Sequence, residues 1–404
     1  MNNDNITRRD FLSGALKTSL AASALAFLGA ETVFGQKNAA QTLFKTAHGN
    51  LTIKHNPFSI AVTDAGGKVL TETIGGDALT INSKGEADKL ARVVKANQAA
   101  NGMILECVTA KNKPVSISLT ATVSSIKLEV KTADAETVLF KFRTSENEFL
   151  SGGGQRIRSL NLKGYNINSV ARVNDDGIVK VGSNEDEFSA PTPFFLSQKG
   201  YAAFVETEGL WNFDFAAAEK GRIVGLIAGD AVNLHFVTGA TPKKLVQTFT
   251  ALTGRMSPAP DWNYGLWKWR DVYVNEFEVY EDVSMMRSLD LPATALIIDS
   301  PWSSKHVSFD INPKQFPNGK NFFDNLHRAG YKLVFWLVPF INPNAANFKE
   351  ADEKGYFVKD ANGKTLLVDW WNASGSPELG QEAGRLGGII DFTFPDAKNW
   401  WEDQ

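Results

Sequence analysis

Between residue 41 and about residue 250, apolar positions recur at every second residue. Leu51/Ile53, Phe58/Ile60/Val62, Val115/Ile117/Leu119 and Ile126/Leu128/Val130 each alternate with polar neighbours. That period turns one row of side chains to a core and the other to water, as in half-buried strands. Turn-forming residues separate the runs: Asp64-Ala65-Gly66-Gly67, Gly75-Gly76-Asp77 and Lys111-Asn112-Lys113-Pro114. Many short strands joined in this way predict an antiparallel β-sandwich over 41–255. Gly152-Gly153-Gly154 falls inside it with no helix following, so it reads as a turn. A helical stretch, Pro242 to Leu252, closes the region, and Ser257-Pro258-Ala259-Pro260 reads as a linker.

After Pro260 the periodicity changes. Continuous apolar runs at Ala293–Ile298 and Leu333–Ile341 are separated by helical segments near Glu276–Ser288 and Asn321–Arg328. Strands buried on both faces and alternating with helices predict parallel βαβ units. The runs end in Asp299-Ser300-Pro301-Trp302 and Pro339-Phe340-Ile341-Asn342. In an α/β barrel such strand ends carry the active-site loops. A doubly wound sheet is the competing fold, but no Gly-rich phosphate turn follows any of these strands.

Composition narrows the function mainly by exclusion. The chain has 404 residues, 43% of them apolar and 22% charged, enough for two or three core-forming domains. With 42 basic and 45 acidic side chains the net charge is −3, which gives no electrostatic footprint for nucleic acid. The single cysteine, Cys107, excludes an internal disulfide framework and a thiolate-rich zinc site. None of the five histidines stands at metal-ligand spacing, so no metal or cofactor is expected. The aromatic load is high, with 10 Trp and 27 Phe.

The N-terminus reads as an export signal over 1–35. TRRDFLSG (7–14) precedes an Ala-rich apolar stretch from Leu20 to Leu28, too short to span a bilayer. Arg8-Arg9 followed by Phe11 and Leu12 resembles a twin-arginine signal. No cysteine follows the apolar stretch and no other run reaches 18 apolar residues. The expected location is therefore the bacterial periplasm or cell exterior, with no membrane anchor after signal removal.

Five further segments share one resemblance. They are PFSIAVTDAGG (57–67), PFFLSQKGYAAFVE (193–206), GATPKKLVQTFTALTGRMSPAPDWNYGLW (239–267), FDINPKQFPNGKNFFDNLHRAGYKLVFWLVPFI (309–341) and IIDFTFPDAKNWW (389–401). In this order they resemble glycoside hydrolase family 31: α-glucosidases, α-xylosidases, α-galactosidases and sulfoquinovosidases. The resemblance implies a galactose-mutarotase-like β-sandwich followed by a (β/α)8 TIM barrel over 261–404. It also implies retaining hydrolysis of an α-glycoside or oligosaccharide by two carboxyl groups roughly 5 Å apart.

Carried onto this sequence, the resemblance makes Asp299 a sugar-hydroxyl ligand and sets Trp336 against the substrate. For Trp336 the alternative is a buried, barrel-filling side chain, and Trp370 and Trp371 match a stacking pair at the subsite or pack under a long loop. Arg270 and Asp271, at the end of the first barrel strand, are in reach of the sugar or form an Arg–Asp surface pair. Trp267 and Trp269, alternating along that strand, are expected to be structural. Asn174-Asp175-Asp176-Gly177 matches a sandwich loop over the substrate or is a plain turn, and His235 and His327 read as structural. Pro301 stands where many α-glucosidases carry a second acid, and Ser300 replaces a bulkier apolar residue, so the sugar is left open.

The resemblance places the nucleophilic Asp at the end of a fourth strand and the acid/base Asp later, both beyond residue 404. Asp391 and Asp396 match a structural segment before them. The span 261–404 is shorter than the roughly 200–250 residues a barrel needs and accommodates about three βα units. This leads to the expectation of an incomplete barrel and a chain that, as given, does not hydrolyse glycosides. The alternative is a non-catalytic carbohydrate-binding or scaffold protein.

Overall fold

The computed structural model describes residues 34–37, 40–47, 49–156, 159–169, 188–369, 379 and 386–404. The chain divides into two compact units between Met256 and Ser257.

In the first unit a five-stranded sheet runs in chain order: β1 (Phe34–Lys37), β2 (Gln41–Thr46), β3 (Gly49–His55), β4 (Phe58–Thr63) and β5 (Val69–Glu72). Thirteen strands form a second sheet. They are β6 (Leu79–Ser83), β7 (Glu86–Ala99), β8 (Gly102–Thr109), β9 (Pro114–Ala121), β10 (Ile126–Thr132), β11 (Thr137–Arg143) and β12 (Leu150–Arg156), followed by six more. Those six are β13 (Asn166–Asn168), β14 (Phe188–Ser197), β15 (Tyr201–Glu206), β16 (Trp211–Phe215), β17 (Arg222–Ala228) and β18 (Ala231–Thr238). The order across the sheet is β12-β14-β15-β18-β10-β9-β8-β7-β6-β11-β17-β16-β13.

The sheet folds over at β7. This 14-residue strand pairs with β6 through Thr80↔Lys89 and with β8 from Leu90↔Thr109 to Ala99↔Gly102. The two halves face each other through aromatic rings. Phe142 of β11 meets Phe236 of β18 at 5.5 Å, and Phe195 of β14 meets Phe213 of β16 at 5.5 Å. Edge-on packing of this kind adds to the area the rings bury. Phe44, Leu51, Ile53 and Phe58 of the smaller sheet join the same core. The period-two rows at 51–62, 115–119 and 126–130 are its buried faces.

Gly152-Gly153-Gly154 is not a turn: it lies within β12, paired to β14 with irregular register. Its φ angles of 135°, 75° and 89° are open to glycine. A Cβ at Gly154 would collide with the Ala190 carbonyl, and one at Gly152 with that of Phe194. The glycines therefore allow a bulged strand to approach its neighbour closely. Helix α1 (Pro242–Thr253) follows β18, its N-terminus capped by the Thr241 hydroxyl accepting from the Lys244 N–H at 3.2 Å. Phe249 on α1 stacks on Phe194 at 4.0 Å.

The second unit begins with a 3₁₀ turn at Asp261–Tyr264 and β19 (Leu266–Arg270). Then come α2 (Glu276–Ser288), β20 (Ala293–Ile298), α3 (Gly319–Arg328) and β21 (Lys332–Phe335). Strands β19, β20 and β21 form a parallel sheet in that order. Val279 and Val283 of α2, Leu296 and Ile298 of β20, and Phe322 and Leu326 of α3 pack in one buried cluster.

The apolar run 333–341 is not one strand. β21 ends at Phe335, and after one further ladder bond, from the Trp336 N–H to the Ile298 carbonyl at 3.0 Å, the next pair of groups takes other partners: the Trp336 carbonyl accepts from the Trp302 indole and the Ser300 N–H donates to Asp299. Phe340–Ile341, as β22, instead pairs antiparallel with β24 (Leu386–Ile389), which also pairs with β23 (Leu367–Asp369). Helices α4 (Ala346–Glu353) and α5 (Pro395–Asp403) accompany this small sheet. Among the described residues no helix is long and apolar enough to cross a membrane.

One buried carboxylate ties the first unit's turns together. Glu148, 1% exposed, accepts from Ser197 Oγ at 2.6 Å, Tyr201 Oη at 2.9 Å and the Ser145 N–H at 3.1 Å, with Lys199 Nζ at 2.7 Å. Burial would raise this carboxyl, but the donors outweigh it and hold it below the ordinary glutamate value of 4.5. Its stabilisation is therefore present above that pH and is lost as the pH falls through the lowered value. Glu148→Ala is expected to cost ~3 kcal/mol in urea denaturation at pH 7 and to flatten the acid limb of the stability profile. An unchanged midpoint at both pH 7 and pH 3 would contradict this account of the turn.

Candidate substrate-binding site

The site is assembled at the C-terminal ends of β19, β20 and β21. Ala295, Leu296 and Ile298 anchor β20 in the core, and Asp299 is the first residue beyond it, half-buried. Its Oδ1 accepts from the Ser300 N–H at 2.7 Å, and its Oδ2 accepts from Trp269 Nε1 at 2.6 Å. The two donors, one on each oxygen, limit the rotation of the carboxyl group.

Strand alternation explains why Trp269 is there. Lys268 and Arg270 turn to α2, where Asp282 takes Arg270 in a two-pronged contact, Nε to Oδ2 at 2.8 Å and Nη2 to Oδ1 at 2.7 Å. Lys268 Nζ lies 3.1 Å from the same carboxylate, and Tyr273 Oη donates to it at 2.9 Å. Burial would raise the Asp282 carboxyl, but Arg270, Lys268 and Tyr273 outweigh it and hold it below the ordinary aspartate value. Burial and the hydrogen bond to Asp282 push the Tyr273 phenol up, so it stays a donor. With 268 and 270 committed to the helix, 267 and 269 must face the other way.

Arg270 is thus occupied by α2 rather than turned to Asp299, and Asp271 next to it is exposed. Trp269, expected as a core residue, is 49% exposed and bonded to Asp299, whereas Trp267 is half-buried and stacks on Trp262 at 5.5 Å. The signal for Trp269 was present in the sequence, because cationic residues on both sides mark the opposite face of the strand as the helix-facing one.

Trp336 follows β21 and is half-buried. Its carbonyl accepts from the buried Trp302 indole at 2.8 Å, and His306 meets its ring edge-on at 5.8 Å. Burial lowers the His306 imidazole to about 4, so it braces Trp336 as a neutral ring at pH 7. Pro301 is buried and Ser300 half-buried beside Asp299. Trp370, Trp371 and Asn174–Gly177 lie outside the described residues. An oriented carboxylate beside aromatic faces suits a neutral, hydroxyl-rich ligand: the oxygens accept from hydroxyls and the rings pack on C–H faces.

A family model for the glycosyl hydrolase 31 N-terminal galactose mutarotase-like domain matches residues 15–214. One for the glycosyl hydrolases family 31 TIM-barrel domain matches residues 256–404. The chain belongs to glycoside hydrolase family 31. Among family 31 relatives, it is 26% identical over 262 residues to the α-xylosidase XylQ of Lactiplantibacillus pentosus, covering 64% of this chain and 32% of that protein. It is 25% identical over 227 residues to the sulfoquinovosidase of Escherichia coli, covering 53% of this chain and 30% of that one. The chain thus spans about a third of the length of the curated relatives it matches.

Among solved family 31 structures, a sulfoquinovosidase from E. rectale superposes with a TM-score of 0.64 at 17% identity, covering 92% of this chain and 56% of that one. A dextranase from Flavobacterium johnsoniae superposes with a TM-score of 0.59 at 19% identity, covering 92% and 46%. These likenesses are of fold.

The Asp282 contacts should be measurable as stability. Asp282→Ala leaves Arg270 and Lys268 without their shared partner and is expected to cost about 2 kcal/mol, given their partial exposure. Because the Asp282 carboxyl is held low, the loss should be full above the ordinary aspartate value of 3.8 and shrink below it. Equal stability of variant and parent in urea at pH 7 would refute this.

Proposed function

We propose that the whole protein is an exported retaining glycosidase that hydrolyses an α-linked sugar. Residues 1–404 contribute its N-terminal β domain, the first three parallel strands of its barrel and the part of the sugar site around Asp299. The observation that carries this reading is the placement of Asp299: an oriented carboxylate at the C-terminal end of a parallel strand, where barrel enzymes build their sites, in a chain of this family. The two carboxyl groups that do the chemistry, one attacking the anomeric carbon and one protonating the leaving oxygen, are assigned to strands outside residues 1–404. Asp299 then holds sugar hydroxyls by charge-assisted hydrogen bonds, and Trp336 offers the apolar face. The Arg8-Arg9 signal supports export to the periplasm or cell exterior.

The test compares two proteins on aryl α-glycosides, including the α-xyloside and α-glucoside. Residues 1–404 alone should release no aryl alcohol. The product of the complete reading frame should do so, and Asp299→Ala in it should lower kcat/KM by about 100-fold or more. Turnover by residues 1–404 alone would overturn the assignment of the chemistry. An Asp299→Ala enzyme with parental kcat/KM would overturn the assignment of the site.

A further inference from the structure

We infer that Trp269 is a positioning residue for Asp299, setting the direction in which its carboxylate presents hydrogen-bond acceptors to a sugar. The inference rests on the glycosidase reading for its substrate, but its physical content is a contact within this chain. In the parallel ladder Trp269 pairs with Ile297, so Asp299 is two residues further along on the same face. Reaching diagonally from one strand to the next requires a long side chain, and the indole spans the gap to place Nε1 2.6 Å from Oδ2.

The chemistry of the donor matters as much as its reach. An indole N–H donates and cannot accept, so it always presents a donor to the carboxyl oxygen, and it carries no charge to compete with a neutral sugar. The second oxygen is held by the Ser300 N–H at 2.7 Å. With one protein donor on each oxygen, the carboxylate plane is set, and each oxygen keeps lone-pair capacity for a substrate hydroxyl. Tyrosine or histidine at 269 could turn an acceptor toward Asp299, and phenylalanine would fill the space but leave Oδ2 free to rotate. The exposure of Trp269, at 49%, places part of the ring beside that acceptor pair. The neighbouring cations cannot take over, because Arg270 and Lys268 are held by Asp282 on the opposite face.

A double-mutant cycle in the complete natural protein tests this, with kcat/KM on its best aryl α-glycoside as one readout. Trp269→Phe should lower kcat/KM about tenfold, and adding it to Asp299→Ala should cost nothing further. Additive losses, or no loss from Trp269→Phe, would overturn the inference. The second readout is the Trp269 indole ¹H–¹⁵N resonance in residues 1–404, identified by its loss in Trp269→Phe. It should move in Asp299→Ala, and an unmoved resonance would overturn the contact itself. A moved resonance in a protein that cleaves no α-glycoside would instead sink the glycosidase reading and leave the contact standing.

Discussion

The Asp282 carboxylate, drawn into the layer between β19 and α2, has to be met by opposite charge, and the strand supplies it from 268 and 270. A buried carboxylate left alone would cost several kcal/mol, so this pairing fixes the phase of β19. Everything on the other face of the strand follows from that phase. Trp267 turns to Trp262, and Trp269 turns to the end of β20, where it meets Asp299. A pairing on the helix side thereby determines what is presented on the opposite side, through nothing more than the two-residue period of a strand.

Aromatic side chains carry out two different tasks in the two units. In the first, Phe142, Phe195, Phe213 and Phe236 fill the space between the folded-over halves of one sheet. In the second, Trp302, His306 and Phe335 are less a filling than a scaffold. The Trp302 indole holds the Trp336 carbonyl while its ring packs at 4.8 Å on Phe335, so the chain leaving β21 has a fixed course. The high Phe and Trp content thus reflects a large first core together with a set of rigid supports around the strand ends.

Much of this was legible from the sequence where the local period was clean. Helix α2 runs over Glu276–Ser288 as the pattern indicated, and β20 coincides with the apolar run Ala293–Ile298. The position of Asp299 directly after β20 was legible too, because the apolar run before it ends there. Legibility failed where geometry broke the period. In β7 the buried positions fall at Leu90, Val93 and Ala96, an odd spacing created by register shifts at Leu90/Arg92 and Val93/Lys95. Apolarity alone could not show that 333–341 divides after Trp336, or that three glycines lie within a strand. Trp269 was readable only through its neighbours: an indole that packs and an indole that donates look alike until the cations on both sides are taken to mark the helix-facing side.

The fold at β7 has a consequence for how the two halves of the sheet are held together. Two separate sheets laid face to face would each end in two strands whose outer N–H and C=O groups lack a ladder partner. Because β7 belongs to both halves, each half ends at the seam in a segment of the same strand, residues 86–89 beside β6 and residues 90–99 beside β8, so the two borders there are joined by the chain itself. The two halves are thereby held together at that side by a continuous backbone as well as by the rings that meet between them. The bulges that obscure the strand's pattern sit where it passes from one half to the other, so the irregularity that hides β7 from its sequence also marks the side on which the halves are joined.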